Sequence, residues 1–477
     1  MTVTAAGIRA LTLPVWLGRV RDRSLHLGII GLGYVGLPLT LLFSEERFRV
    51  TGFDIDPVKV GLLNAGKSYI HRIEHEHIDR ARAAGFRATV DFEEIAYVDA
   101  VLICVPTPLY DDHTPDMSYV VSTMEVLAPY LRAGQLVVLE STTYPGTTEE
   151  IVVETIDRHG KAAGTSVLRS GEDGERGDSG GGHVDPLAGF DPRAERLDGV
   201  MVAFSPERED PGNVTTPRRD VPKVIGGVDA RATVAAAALY GTVFERTVTM
   251  SSPAAAEMTK LLENIYRSVN IALINELKQL CIAMGLDIWE IVAAAATKPF
   301  GFQAFYPGPG VGGHCIPVDP FYLSWKAKQF GVATRFIELA GEVNEAMPEY
   351  VVQATARALE REGVTLQGAA VLVLGVAYKR DVDDLRESPA LAVIELLRQG
   401  GAVVSYNDPF FPAVGRGRKY DLQLRSVELD QVRSFDCVVI VTDHSSYDYA
   451  RIVREAQLVV DSRNATRGLD SGKIVRC

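Results

Sequence analysis

Cysteine and tryptophan are scarce in this 477-residue chain, with five of the first and three of the second. No two cysteines form a C-x-x-C pair, which leaves no sequence basis for a zinc site or a disulfide framework. Cys104, Cys281 and Cys437 sit in apolar strand or helix patterns and read as packing residues, while the terminal Cys477 reads as frayed. Positive charge is also short. The 49 Lys and Arg against 62 Asp and Glu leave a net charge of −13, which gives no support to nucleic-acid or anionic-membrane binding. An anionic ligand must therefore be met by local cations. No apolar run is long enough to cross a bilayer. The apolar stretch Leu11 to Leu17 is short and its arginines mostly follow it, unlike a secretory leader, so a cytoplasmic protein is expected. What remains is 47% apolar and 23% charged, an ordinary globular composition, long enough for two or three domains.

Glycine, in contrast, is concentrated where it carries information. The apolar run Leu25 to Ile30 leads into Gly31-Leu32-Gly33-Tyr34-Val35-Gly36 and then into the helical pattern Leu37 to Glu46. A strand, G-x-G-x-x-G and a helix form the dinucleotide-binding context. Gly31 makes the tight turn, Gly33 admits a pyrophosphate and Gly36 allows close helix–strand packing. The phosphates would meet the positive end of the helix. The next strand ends in Asp54, near the ~20-residue spacing of a ribose-binding acid, and its carboxylate would repel a 2′-phosphate. The expected cofactor is NAD. A glycine-rich turn without ligand is the alternative, and the strand–helix context argues against it.

A second glycine cluster, Gly308 to Pro320, reads GPGVGGHCIPVDP and places Cys315 in a loop, with Asp319 four residues on. A displayed thiol beside an acid suggests covalent chemistry, and a buried small hydrophobe is the competing reading.

Along the chain, Ala100 to Val105 and Gln135 to Leu139 read as buried strands ending in hydroxyl-rich segments, VPTP and ESTT. In a parallel sheet such ends lie at the carboxyl edge, where ligands bind. Arg169 to Glu195 is rich in Gly, Asp and Arg and reads as a mobile insertion. Val200 to Ser205 resumes the sheet. From Pro253 apolar residues recur at helical spacing through Leu280, with Lys260 and Asn264 on one face and Glu263 and Arg267 read as a solvated ion pair. From Gly368 a second α/β alternation begins, with Lys379 and Arg386 suited either to an anionic ligand or to an exposed ionic network. His71, His75 and His77 lie in HRIEHEH, which reads as a solvated face, and no metal is expected. The fold class is α/β: two Rossmann-like doubly wound domains joined by a long central helix.

The ordered set GLGYVG, VPTP, ESTTYPGTT, FSPE, KLLEN, GPGVGGHCIPVDP and YKRDVDDLRESP resembles the UDP-glucose/GDP-mannose dehydrogenase family across residues 25 to 470. The forms SPEREDPGN and GGHCIPVDP are most similar to the branch that oxidises N-acetylated sugar nucleotides, which implies a UDP-N-acetylhexosamine substrate, N-acetylglucosamine foremost, with UDP-N-acetylmannosamine or UDP-glucose as the alternative. The resemblance implies an N-terminal extension (1–24), an NAD-binding domain (25–250), a helical dimerisation region (251–350) and a UDP-binding domain (351–477), assembled as a homodimer or larger. It implies four-electron oxidation of a 6-hydroxyl with two NAD⁺.

Carried over by motif, Cys315 is the nucleophile, and Lys260 and Asn264 stabilise the alkoxide. Asp319 orients Lys260 and assists the hydrolytic water, and Glu207 and Thr142 handle water or protons. Gly31, Gly33, Tyr34, Val35, Gly36, Asp54, Lys59, Thr107, Thr142 and Arg386 match NAD contacts. Ala304 to Gly308, with Phe305 and Tyr306, together with Gly312, Lys379, Glu207, Lys260 and Asn264, match substrate contacts. Two departures stand out. Pro211 replaces the second Glu of the glucose branch, leaving Glu209 nearby, and Val318 replaces a cofactor-contacting Lys. A two-electron β-hydroxyacid dehydrogenase, which also carries Lys-x-x-x-Asn, and a non-catalytic NAD module are the alternatives. NADH per substrate separates the three readings.

Overall fold

The computed structural model describes residues 11–70, 73–110, 112–163, 165–169, 187, 190–208, 216–313, 316–417 and 419–477. His71, Glu209, Pro211, Cys315 and most of the expected insertion lie outside them. The chain forms two compact units, Met1–Leu262 and Glu263–Cys477.

The first unit is built on an eight-stranded sheet. Its strands are β1 (His26–Ile30), β2 (Arg49–Phe53), β3 (Arg87–Thr89), β4 (Ala100–Ile103), β5 (Leu136–Leu139), β6 (Met201–Phe204), β7 (Lys223–Gly227) and β8 (Thr247–Met250). They lie in the order β3-β2-β1-β4-β5-β6-β7-β8. The first six strands are parallel and give the 3-2-1-4-5-6 order of a dinucleotide-binding sheet. Strands β4, β5 and β6 read AVLI, LVVL and MVAF and are buried at every position, as a sheet covered on both faces requires. Strands β7 and β8 extend the sheet beyond the expected set, and β7 runs antiparallel to β6. Its sequence, KVIGG, opens on a lysine and ends in glycines, which hides its strand character.

The residues before β1 include a helix, Leu13–Arg21, whose Leu13, Trp16 and Val20 share the core cluster of β1 and β2. Arg19 from this helix forms a two-pronged pair with Asp99 at 2.8 and 2.5 Å.

The long helix Pro253–Met284 spans 32 residues, and the division between the units falls within it. The second unit continues with helices Ile288–Ala295, Asp319–Gln329, Arg335–Glu345 and Met347–Arg361. Its strands are β9 (Ala370–Leu374), β10 (Val403–Asn407), β11 (Ala413–Arg416), β12 (Asp421–Arg425), β13 (Cys437–Ile440), β14 (Val459–Asp461) and β15 (Ile474–Arg476). Five form a parallel sheet ordered β10-β9-β13-β14-β15, and β11 and β12 form a hairpin. Cys477 corrects an expectation. It is 3% exposed in the core of this unit and donates its N–H to the Asp461 carbonyl, because the terminal strand β15 pairs with β14. Cys104, Cys281 and Cys437 are buried. Among the described residues no helix is long and apolar enough to cross a membrane.

Candidate active site

Strand β1 delivers the chain to Gly31, whose φ of +83° is one that side chains rarely adopt. A Cβ there would lie 2.7 Å from the Cys104 carbonyl oxygen, and one on Gly36 only 2.0 Å from the Gly31 carbonyl. Glycine at both positions lets the helix Gly36–Glu45 start directly against the strand ends. At Gly33 a Cβ would meet nothing within 4 Å. Two glycines packed tight and one facing open space make a cradle that fits a dinucleotide pyrophosphate on a helix N-terminus.

Asp54, just past β2, is 7% exposed. Its two oxygens accept the Leu32 and Asp56 N–H groups, each at 3.0 Å, so the expected ribose acid also ties down the glycine loop. The Tyr69 hydroxyl donates to the Leu32 carbonyl, and the Lys59 ammonium lies 5.8 Å from the Tyr69 ring centre.

The other expected groups of this unit gather at the carboxyl edge. Leu139 of β5 pairs with Phe204 of β6, so Thr142 and Glu207, each three residues further on, leave adjacent parallel strands. Thr107, beyond β4, is 2% exposed. Thr142, Glu207 and Lys260 are 8%, 7% and 8% exposed. Burial acts to raise the Glu207 carboxyl, but the charges of Lys223, Arg218 and Lys260 outweigh it and hold Glu207 below the usual carboxylate range. Lys223 and Glu140 belong to this cluster; Lys223 carries no sequence signal beyond its strand position, and Glu140 shows only as the first residue of the ESTT strand end. Glu257, on the long helix, was also not expected. Its oxygens accept from Gly146 N–H (2.6 Å), Thr148 N–H (2.9 Å) and Thr148 Oγ1 (2.7 Å), anchoring the segment that follows Thr142.

In the second unit Asn264 is 2% exposed and is held at both ends: its Nδ2 donates to Asp319 Oδ2, and Arg267 donates to its Oδ1. Asp319, expected to orient Lys260, is fully buried at the start of helix Asp319–Gln329 and accepts from Asn264. Arg267 thus has a partner that the charge spacing with Glu263 does not reveal.

The glycine loop is clasped from two sides. Gly308 N–H donates to Asn275 Oδ1 (2.9 Å), and Asn275 Nδ2 donates to Asn344 Oδ1 (3.0 Å). A Cβ on Gly312 would sit 2.7 Å from Tyr378 Cβ, and Gly313 donates its N–H to the Arg386 carbonyl at 2.9 Å. The Arg386 guanidinium grips Asp384 through two nitrogens, Nε at 3.1 Å and Nη2 at 2.7 Å. Tyr306 stacks on Trp289, and Phe305 meets Tyr266 edge-on. Lys379 is half-buried beyond the end of β9. Near the same strand ends, Asp381 donates its N–H to His444 Nδ1 (3.0 Å). The His444 proton therefore lies on Nε2, facing Asp408 Oδ2 at 3.1 Å.

Three models of one family match in order: the UDP-glucose/GDP-mannose dehydrogenase NAD binding domain at residues 25–244, its central domain at 254–346 and its UDP binding domain at 372–468. The chain is 33% identical over 456 residues to the NDP-N-acetyl-D-galactosaminuronic acid dehydrogenase of Ralstonia nicotianae, covering 94% of this chain and 96% of that one. It is 34% identical over 434 residues to the UDP-N-acetyl-D-mannosamine dehydrogenase of Salmonella typhi, covering 88% and 94%. Among solved structures, the UDP-D-ManNAc dehydrogenase of Pyrococcus horikoshii superposes with a TM-score of 0.80 at 30% identity, covering 95% of this chain and 99% of that one.

Proposed function

The chain belongs to the UDP-glucose/GDP-mannose dehydrogenase family of NAD-dependent nucleotide-sugar oxidoreductases, and from that premise we propose that it oxidises the 6-hydroxyl of a UDP-N-acetylhexosamine to the carboxylate. The observation that supports this reading is that buried Thr142 and Glu207 leave adjacent parallel strands at the carboxyl edge of β5 and β6, with buried Lys260 near enough for its charge to act on Glu207, in the sheet whose β1 end forms the glycine cradle. The two relatives above are named for mannosamine and galactosamine sugars. With the Pyrococcus horikoshii structure also named for N-acetylmannosamine, the first choice of sugar shifts from N-acetylglucosamine to N-acetylmannosamine.

NAD⁺, when bound, supplies the hydride acceptor for each of the two oxidations. Gly31, Gly33, Gly36, Asp54 and Lys59 are proposed to hold it, with Tyr34, Val35, Thr107 and Arg386 as further contacts. Lys260 and Asn264 donate hydrogen bonds to the oxygen as it gains negative charge in the transition state. The Cys315 thiolate adds to the aldehyde carbon, and loss of a second hydride leaves a thioester. Glu207, with Thr142, takes a proton from the water that attacks this carbonyl, and the thiolate leaves. The balance is one alcohol, two NAD⁺ and one water in, and one carboxylate, two NADH and three protons out. Phe305, Tyr306, Gly308, Gly312 and Lys379 are proposed to meet the UDP-sugar. Residues 25–250, 251–350 and 351–477 are proposed as the NAD-binding, helical and UDP-binding regions of a homodimer or larger assembly.

NADH release measured against UDP-N-acetylmannosamine, UDP-N-acetylgalactosamine, UDP-N-acetylglucosamine and UDP-glucose tests the reading. Two NADH per sugar consumed are expected, with the N-acetylated sugars ahead of glucose by kcat/KM. One NADH per sugar, or glucose in front, overturns it.

A further inference from the structure

Lys223 opens β7 and is 2% exposed. Its Nζ lies 2.6 Å from Glu140 Oε2 and 3.3 Å from Glu207 Oε2. The rings of Tyr240 and Phe244 flank the same ammonium, their centres 5.1 and 5.3 Å away. The Tyr240 hydroxyl donates to the other oxygen of Glu140. This meeting follows from the antiparallel pairing of β6 and β7. Phe204 of β6 faces Gly226 of β7, so three steps forward on one strand and three back on the other set Glu207 opposite Lys223.

Two buried carboxylates share the one Lys223 ammonium, and the further cations are not shared evenly. Glu207 also has Arg218, with Nε 3.9 Å from its Oε1, and the charge of Lys260, whereas Glu140 has Lys223 and a neutral phenol. Cys104 faces the same group and burial keeps it a thiol. A carboxylate stripped of water and of its cation protonates, and a protonated Glu207 cannot accept a proton from water.

Resting on the catalytic reading of Glu207 above, we propose that Lys223 is a positioning residue that holds Glu207 ionised and aimed, and that Glu140 competes with Glu207 for the Lys223 ammonium. Burial acts to raise both carboxyls. At Glu140 it wins, and at Glu207 the cations win. Lys223 acts through Glu207 rather than on a reacting atom, and it sets the pH at which Glu207 begins to work.

Profiles of kcat against pH, over about pH 5 to 9, test this in wild type and five variants: Glu140→Gln, Lys223→Met, Lys223→Arg, Lys223→Met/Glu140→Leu and Glu207→Gln. Glu140→Gln leaves the ammonium to Glu207 and moves the acid limb to lower pH. Lys223→Met moves it to higher pH, by on the order of one unit, with KM for the UDP-sugar within a few-fold. Lys223→Arg restores most of the wild-type profile.

Opposite shifts from two substitutions in one buried cluster are not what a merely structural role produces. If both variants lose turnover with the limb unmoved, the proposal is overturned. Should Lys223→Met fail to fold, the double variant, which removes one charge of each sign, replaces it. Its limb must lie above that of Glu140→Gln, and coincident limbs overturn the proposal. Glu207→Gln separates the two layers. If it keeps wild-type turnover and profile, the role of Glu207 itself fails. If it is inactive while the Lys223 and Glu140 variants leave the limb in place, only the coupling fails.

Discussion

Lys260 is the residue whose removal best distinguishes a binding role from a chemical one. Its side chain is 8% exposed and its charge helps to hold Glu207 ionised. A cation that stabilises charge developing in the transition state contributes little to ground-state binding. Lys260→Ala is therefore expected to lower kcat by ~10²–10³-fold, the usual cost of losing one such donor, with KM for the UDP-sugar within a few-fold. Steady-state kinetics check this, and a large rise in KM at unchanged kcat would make Lys260 an ordinary binding group. Lys260 and Asn264 are legible in the sequence because their four-residue spacing is a local regularity. Lys223 is not. It meets Glu140 only because strands 83 residues apart in sequence lie in one sheet, and a lysine heading an apolar run looks like a solvated strand end. Arg267 is a related case. Spacing offers it Glu263, and the fold brings it to the Asn264 side-chain Oδ1, which spacing does not reveal.

At the scale of elements, the long helix Pro253–Met284 does more than carry Lys260. Its Glu257, 1% exposed, accepts three hydrogen bonds from Gly146 and Thr148, at the start of the helical segment that follows the Thr142 loop. Three donors favour the carboxylate, yet burial prevails and pushes Glu257 up from its ordinary 4.5 to about 7. The sign of the pH effect follows. The folded state holds this proton more tightly than the unfolded state, so the associated stability is complete below about pH 4.5 and is lost as pH rises through about 7. The slope is at most ~1.4 kcal/mol per pH unit. Glu257→Gln, neutral throughout, is expected to flatten that part of the pH dependence even though its hydrogen bonding lowers the baseline. Urea unfolding of both proteins between about pH 5 and 8 reads the difference, and parallel curves would assign the titration elsewhere. Elements with strong periodicity were readable in advance: β1 to its glycine turn, β4, β5, β6, the long helix and the first strands of the second unit. Strands β7 and β8 were not, since glycines and partial exposure blur their pattern, and neither was the burial of Cys477, which depends on β15 finding β14.

For the whole molecule, the proposed chemistry is a four-electron oxidation in which two hydride losses are separated by a covalent step. The net charge of −13 means that a doubly anionic UDP-sugar is drawn in only by local cations, not by the overall field. In the proposed reading the glycine cradle holds the hydride acceptor and the buried carboxyl edge handles protons. Neither supplies a way to hold an aldehyde through a second oxidation, and that task falls to Cys315, identified by sequence resemblance and lying outside the described residues. The first hydride transfer needs no sulfur. The second needs an adduct whose oxidised form water cleaves readily, and serine is both a weaker nucleophile at neutral pH and the source of a slower-hydrolysing ester. Cys315→Ser is therefore expected to release at most one NADH per active site in a burst, with sustained uronate formation abolished and an adduct detectable by intact-protein mass spectrometry. Glu207→Gln, by contrast, should stall later, after two NADH, as a thioester on Cys315. Burst amplitudes of one and two in the respective variants order the steps along the reaction. Uronate production by Cys315→Ser at the wild-type rate would remove the covalent step and, with it, the need for a thiol in the glycine loop.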